Sequence, residues 1–282
     1  MSAPKTDGCT CWALGLVLLA FLPACRSQAG SRIPAVVLGE ASFAAMIEDL
    51  GQARLVLVGE RHNEPADHRA QLAIIQALHE QDRDLAIGLE MVQADRQAPL
   101  DRWIAGQLPE EELAASFQAS WGFGWHLYRA LFRYAREHGI PMVGLNVPPA
   151  ITRQVGRAGF ASLSAQERAS LPPAVSCDVD PRYGEHLQRV FRTQGGHSQT
   201  FVHFCEAQVL WDQAMAWHIS RHLEAHPQRT MVVLAGAIHA WRLGIPRQLN
   251  RFFNAELRVI LPEPPAGGPA LSPTDADYLL LS

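Results

Sequence analysis

Short, continuous apolar segments alternate along the chain with amphipathic ones, and this alternation most constrains the fold. The apolar segments are rich in Val, Leu and Ile and read RLVLVGE, LAIGLEM, IPMVGLN, RTMVVLAG and ELRVILP. Strands that are apolar on both faces belong to parallel sheets that helices cover on both sides. Segments such as PADHRAQLAIIQALHEQ, in between, place apolar residues at helical spacing. The sequence therefore predicts an α/β fold: a mainly parallel sheet covered by helices, with a helical insertion.

Two parts of the chain lack this alternation. Residues 147–199 are rich in Pro, Gly and Ser, so we expect an irregular segment there. Near the C-terminus, ADYLLL is expected to form a last edge strand or a tail. We find no internal repeat, and we expect residues 34–282 to form a single domain.

The charge balance excludes a broad nucleic-acid-binding surface. The 282-residue chain has a formal net charge of −4, whereas such surfaces carry a marked excess of Lys and Arg. Charged residues make up 18% of the chain and apolar residues 48%, which is typical of a globular rather than a disordered protein. We therefore expect no nucleic acid among the partners.

Residues 1–25 form a separate segment that we interpret as a lipoprotein signal peptide. Residues 12–22, WALGLVLLAFL, are too short to span a bilayer but have the length of a signal-peptide core. The run leads into LPAC, where Cys25 stands at the position that is lipid-modified in bacterial lipoproteins. An ordinary secretory signal that contains a cysteine is the alternative. We expect residues 26–33 to be a tether and, since Arg26 rather than Asp follows Cys25, an outer-membrane location facing the periplasm.

Two of the five cysteines, Cys177 and Cys205, lie beyond both this segment and the tether. An exported chain meets an oxidising compartment, so a disulfide between them is one interpretation and two free or buried thiols are the other. Their spacing does not decide between the two.

Polar side chains follow several of the predicted strands at the point where each strand ends. They are Glu60, Glu90, Asn146 and His239. In open parallel sheets the carboxyl ends of the strands share one edge, and ligands bind outside that edge. We therefore expect these scattered residues to meet there.

Glu60, His62, Glu90 and His239 are the candidate catalytic or metal-binding set. Carboxylates and neutral imidazoles suit a divalent metal ion, and the same groups suit acid–base catalysis. A structural role is the alternative for each residue: Glu60 and Glu64 could cap the following helix, and His62 and His68 could be solvated loop residues. Likewise, Glu90 could pair with an arginine, and His239 could merely begin a helix.

The aromatic stretch WGFGWH, Trp121–His126, allows a different kind of site. It is either a turn with aromatic packing or a flat apolar surface for a planar ligand such as haem. A haem site needs mostly apolar contact and one axial ligand, and His126 or Tyr128 is available for the iron.

Several of these segments together resemble the ChaN-like haem-binding lipoprotein family of the Tiki and erythromycin-esterase-like superfamily. They are LVGERHNEPADHRAQLAIIQAL, LAIGLEM, WGFGWHLYRALFRYAREHGIPMVGLNVP, EAQVLWDQAMAWHI and VVLAGAIHAWRLGIPRQL. The resemblance implies an α/β core and one cleft bounded by two Gly-x-x-His motifs, here Gly59–His62 and Gly236–His239, with Glu90 as the partner acid.

The resemblance also implies a function: haem binding for iron acquisition, storage or transfer at the outer membrane. Haem in that family is held by tyrosine ligation between two subunits, which implies a homodimer, and an outer-membrane haem receptor is an implied partner. The tyrosine candidates here are Tyr128 and Tyr183, and Tyr183 falls in the segment expected to be irregular, where a mobile binding loop would sit. Some superfamily members are metal-dependent hydrolases, so a hydrolase that uses the Glu60–His239 set is the alternative. A binding lipoprotein without haem is a third hypothesis.

Overall fold

A computed structural model describes residues 32–81, 83–172, 175–193, 200–264 and 270–281. The predicted signal peptide, its Cys25 and most of the tether lie outside these residues. Residues from Arg32 onward form one compact unit. Within the described ranges, no helix is both long enough and apolar enough to cross a membrane.

The described residues form a seven-stranded, all-parallel sheet with the order β1-β7-β6-β2-β5-β3-β4. The strands are β1 Ala35–Val36, β2 Leu55–Glu60, β3 Leu85–Gln93, β4 Met142–Asn146, β5 Thr230–Gly236, β6 Leu257–Pro262 and β7 Tyr278–Leu280. Every residue of β2, β3 and β5 is buried, as the continuous apolar segments predict. The α/β fold with a parallel sheet is confirmed.

Helices connect the strands and cover both faces of the sheet. They are α1 Ala41–Leu50, α2 Pro65–His79, α3 Gln97–Ile104, α4 Glu110–Trp121, α5 Trp125–Glu137, α6 Pro149–Ala158, α7 Ala165–Ala169, α8 Pro181–Thr193, α9 Phe201–Ala225, α10 Ala237–Ala240 and α11 Ile245–Leu249. Side chains alternate across a strand, so β2 contributes to two cores. Leu55 and Leu57 pack with residues of α6, α8 and α9, whereas Val56 and Val58 pack with residues of α1 to α5.

The segment 147–199 contains three α-helices among its described residues, with irregular stretches between them, so the prediction of an irregular segment is wrong for those helices. It contains α6, α7 and α8. Its Pro and Gly residues mark helix boundaries: Pro149 and Pro181 begin α6 and α8, and Gly159, with φ of 81°, follows α6. Proline has a preset φ that suits the first helical turn. A composition that suggested a loop therefore reflects closely spaced helix ends.

The C-terminal ADYLLL segment contains a strand, but it is not an edge strand. β7 lies between β1 and β6. The short β1 forms that edge of the sheet and pairs with β7. The first and the last strand of the compact unit are therefore neighbours.

Cys177 and Cys205 form a disulfide. It joins the segment before α8 to the first turn of α9, and Cys205 is fully buried. Of the two interpretations that the sequence left open, the structure contains the bonded one.

Candidate functional site

The predicted strand-end residues meet at the carboxyl edge of the sheet. Glu60 is the last residue of β2 and pairs in register with Gly236, the last residue of β5. Glu90 lies on β3, which pairs with β5 and continues to Gln93, so this strand ends three residues later than the sequence predicts. His239 lies on α10, directly after β5. We call Glu60, His62, Glu90, Asp212 and His239 the rim cluster. All its members are buried except His62, whose side chain is 33% exposed.

Glu60 is the centre of one hydrogen-bonded group. His62 Nδ1 donates to its Oε1 over 2.8 Å, and the Tyr128 hydroxyl donates to the same oxygen. Gln71 Nε2 donates to Oε2 over 2.6 Å. His68 Nδ1 lies 3.7 Å from Oε2. One carboxylate therefore orients the imidazole of His62 and is itself fixed by a tyrosine and a glutamine.

A second group of the same composition is built around Asp212 on α9. His239 Nδ1 donates to Asp212 Oδ1 over 2.7 Å, and the Tyr183 hydroxyl donates to Oδ2 over 2.5 Å. Sequence reasoning missed Asp212. The available signal was an acid in the apolar part of a long helix, directly after Leu210 and Trp211. A carboxylate buried there needs hydrogen-bond or charged partners.

Glu90 lies between the two groups. Its Oε2 accepts the Gly236 amide over 2.5 Å, and its Oε1 lies 3.7 Å from His239 Nε2. A Cβ at Gly236 would lie 3.0 Å from His62 Nε2 and 3.6 Å from Glu90 Oε2. A side chain at position 236 would crowd His62, so glycine is needed there. Its absence of a side chain lets both Gly-x-x-His motifs and Glu90 lie in one site.

The electrostatics of the rim cluster favour charged imidazoles. Burial alone would lower the pKa of His239, but the charges of Glu90 and Asp212 raise it to about 9. For His62, burial is likewise outweighed by the hydrogen bond to Glu60 and the charge of Glu90, so its pKa is raised. Burial would raise the pKa of Glu60, but the His62 hydrogen bond and the charges of His68 and His62 lower it.

The predicted divalent-metal set finds no support among the described residues. No group of three or more His, Cys, Asp or Glu side chains in this part of the chain is arranged to hold a metal ion. The protein itself occupies most of the donor atoms: Glu60 accepts from His62, Tyr128 and Gln71, and Glu90 accepts from Gly236.

Some of the alternative structural roles are present and others are not. Glu64, not Glu60, caps α2, by accepting from the Ala66 amide. His68 is buried, and its Nε2 donates to the His62 carbonyl over 3.1 Å, so it is not a solvated loop residue. Asn146 Nδ2 donates to the Glu90 carbonyl over 2.9 Å and thereby ties β4 to β3.

The chain has four tyrosines, and each hydroxyl has a hydrogen-bond partner. Tyr128 and Tyr183 are buried against Glu60 and Asp212, whereas Tyr134 and Tyr278 bond to His79 and Asp49. Tyr183 lies on α8 rather than in a mobile loop, so that expectation is wrong. Burial and the Glu60 charge raise the pKa of Tyr128.

Aromatic side chains border the exposed face of His62. Its ring centroid lies 5.0 Å from that of Trp121 and 6.4 Å from that of Phe123. Phe123 is 45% exposed. His126 is exposed on the first turn of α5. WGFGWH is therefore a turn with aromatic packing that also leaves an apolar surface beside one imidazole.

Known proteins resemble this chain in fold and in sequence pattern. A solved structure described as cofacial haem binding to ChaN of Campylobacter jejuni has a TM-score of 0.65 and 17% identity, covering 87% of this chain and 98% of that one. An open-conformation variant of the erythromycin esterase EreC has a TM-score of 0.50 and 15% identity, covering 78% and 72%. No curated protein matches the chain. The model of the family described as haem-binding uptake, Tiki superfamily, ChaN matches residues 46–249. More than half of the 282 residues follow that pattern, and the chain therefore belongs to this family.

Proposed function

We propose that this protein binds haem at the exposed edge of the rim cluster, with His62 as the axial ligand. The observation that carries the proposal is the partly exposed imidazole of His62, which lies beside Trp121 and Phe123 and is oriented by Glu60. A haem site consists mainly of apolar contact and an axial ligand. The residues present fit that requirement.

The hydrogen bond to Glu60 determines which nitrogen faces the ligand. Because His62 Nδ1 keeps its proton for the carboxylate, the ring binds iron through the lone pair that Nε2 carries once the charged imidazole has lost its other proton. A carboxylate behind a ligating histidine fixes the ring orientation and raises the basicity of the ligand. When haem is bound, its iron would supply the redox and oxygen chemistry, and this chain would hold and shield the macrocycle.

Family membership supports a role in haem uptake, storage or transfer. The family description names haem-binding uptake, and the Campylobacter ChaN structure is described as binding haem cofacially. We propose the same ligand here, together with a lipid anchor at Cys25, an outer-membrane location facing the periplasm, a homodimer and an outer-membrane haem receptor as partner.

A haem titration of the full chain, followed by absorbance, tests the ligand and its site. We expect a saturable Soret shift in the wild type, in Tyr183→Phe and in His126→Ala. His62→Ala should weaken binding by about tenfold or more, which corresponds to about 1.4 kcal/mol for each factor of ten. Loss of the shift in Tyr128→Phe or Tyr183→Phe, but not in His62→Ala, would assign the iron to a tyrosine. A wild type without a saturable shift would refute haem binding.

The paired Tyr–carboxylate–His groups favour a second candidate, hydrolysis by acid–base catalysis. Tyr183, Asp212 and His239 are connected by hydrogen bonds in the same order as Tyr128, Glu60 and His62. A carboxylate that orients a histidine and stabilises its charged form suits an imidazole that donates a proton near neutral pH. With the pKa of His239 raised to about 9, this imidazole would take a proton from water only at higher pH.

An ester and amide hydrolase screen on the full chain tests this candidate. Any genuine turnover should fall by about a hundredfold or more in His239→Ala. It should remain in Gln97→Ala, a change at the opposite edge of the sheet. Turnover that survives His239→Ala would come from a contaminant or another site.

A further inference from the structure

Three histidines lie near the C-terminal end of α9, away from the rim cluster. His218, His222 and His226 follow one another at four-residue intervals, so they lie on one side of the helix. This end of α9 leads into the start of β5 at the amino edge of the sheet. The rim cluster is at the carboxyl edge, and neither candidate function uses these histidines.

The imidazoles of His222 and His226 are stacked. Their ring centroids are 4.4 Å apart and their planes differ by 25°. His226 Nδ1 lies 2.9 Å from the His222 carbonyl oxygen. Because a carbonyl oxygen only accepts, His226 Nδ1 carries the proton, and its Nε2 presents a lone pair. A backbone carbonyl on the other ring nitrogen is a common orientation for metal-ligating histidines.

The second imidazole carries a nitrogen without a partner. His222 Nε2 is buried and has no hydrogen bond within the described part of the chain. Buried polar atoms are nearly always paired with protein, water or an ion, so an unpaired one requires an explanation. A bound cation would explain the unpaired His222 Nε2, and it would also use the lone pair on Nε2 of His226.

The surroundings of the pair allow a cation to approach. The histidines line an open groove of about 590 Å³, with Gln97, Asp101 and the edge strand β4 also among its walls. The pair is at the C-terminus of a 25-residue helix, where the backbone dipole favours positive charge. Two arginines also line the groove: Arg229 is paired with Asp84 over 3.0 Å, and the guanidinium of Arg221 lies over the Trp217 ring.

We propose that His222 and His226 form a two-nitrogen site for a borderline divalent transition metal such as Ni²⁺, Cu²⁺ or Zn²⁺. Imidazole nitrogens prefer these ions over Mg²⁺ or Ca²⁺. Zinc-to-nitrogen bonds are about 2.0–2.1 Å long. To share one ion with His222 Nε2, the exposed His226 ring would turn out of the stack and give up its bond to the His222 carbonyl, and water would complete the coordination. A pair completed by water is consistent with the absence of any three-residue metal group among the described residues.

Calorimetric titration of the untagged full chain with Ni²⁺ tests the site. Nickel is the probe because it favours imidazole over the carboxylates of the groove. We expect one saturable site that His222→Ala and His226→Ala each weaken by about tenfold or more. The matched control is His203→Ala, which removes a histidine from the first turn of the same helix and should leave binding unchanged.

Electron paramagnetic resonance with one equivalent of Cu²⁺ gives a second readout, because two coordinating nitrogens produce a characteristic hyperfine pattern. Circular dichroism of each variant confirms that it is folded. Nickel binding that persists in the His222→Ala/His226→Ala double variant, or that is lost in His62→Ala instead, would overturn the proposal. Neither outcome depends on whether the protein binds haem.

Discussion

Gly59 and Gly236, the first residues of the two Gly-x-x-His motifs, each make room for the other motif. A Cβ at Gly59 would lie 3.1 Å from the Ala237 Cα and 2.9 Å from Leu261 Cδ2, and a Cβ at Gly236 would lie 3.0 Å from His62. Neither glycine has the positive φ that glycine alone favours. The motifs therefore require glycine for close packing, and that packing sets the distance between the two imidazoles.

Gly236→Ala should displace His62 while leaving the sheet intact. We expect about tenfold weaker haem binding, or about 1.4 kcal/mol, because the new methyl group competes with the imidazole for space. Absorbance titration measures the affinity, and thermal unfolding reports on the fold. Gly184→Ala is the matched control, since its Cβ would meet Val179 at an ordinary 3.5 Å. Equal haem affinity in both variants would contradict the role given to Gly236.

At the scale of elements, α8 and α9 supply two of the three members of one hydrogen-bonded group. Tyr183 comes from α8 and Asp212 from α9, and the disulfide Cys177–Cys205 joins the chain just before α8 to the start of α9. The helices α6 to α9 lie between β4 and β5 in the chain. This helical connection, with its amphipathic faces on the sheet, carries the side chains that hold His239.

Cys177→Ser should lower the free energy of unfolding without changing the fold. The disulfide closes a loop with a sequence separation of 28 residues, and loop-entropy arguments predict a loss of about 3–4 kcal/mol. Urea unfolding under non-reducing conditions measures the difference. Reductant should destabilise the wild type and leave Cys177→Ser unaffected. A wild type that is equally stable with and without reductant would show that the bond contributes nothing.

At the scale of the whole molecule, both helical layers contribute to the rim cluster. Tyr128 belongs to the layer of α1 to α5, and Tyr183 and Asp212 belong to the opposite layer. The cluster therefore forms only when both layers are packed on the sheet. Packing from both sides also explains why the carboxylates of Glu60 and Asp212 are tolerated there, since each of the two receives donors from more than one element.

Cys25→Ser tests how the protein is attached to the cell envelope. If residues 1–25 are a lipoprotein signal, this change removes the acylated residue, and the protein should move from the membrane fraction to the soluble fraction. One acyl chain binds membranes only weakly, and multiple chains anchor stably. Fractionation with immunodetection measures the shift, and Cys177→Ser is the control. A Cys25→Ser protein that stays with membranes would contradict the anchor.

Much of the fold and part of the site can be predicted from local sequence. A fully buried strand needs a continuous apolar segment, and in a parallel sheet the polar residue that ends it lies at the functional edge. For that reason Glu60, His62 and His239 are recognisable from their positions at or just after a strand end. Glu90 is recognisable as a carboxylate on an otherwise apolar strand, although that strand continues to Gln93. The family resemblance, carried by the same segments, is confirmed by the match over residues 46–249.

Tertiary structure alone decides which side chains hold that set. Tyr128 is 68 positions from Glu60, and Asp212 is 27 positions from His239, so no local pattern connects them. Packing also places the hydroxyls of Tyr128 and Tyr183, the two tyrosine candidates, against Glu60 and Asp212, which no local pattern indicates. The segment 147–199 shows the same limit. Pro and Gly are common both at helix boundaries and in loops, so composition alone does not distinguish closely spaced helices from an irregular segment. Sequence specifies which residues are apolar or titratable, whereas packing determines which of them remain available to a ligand.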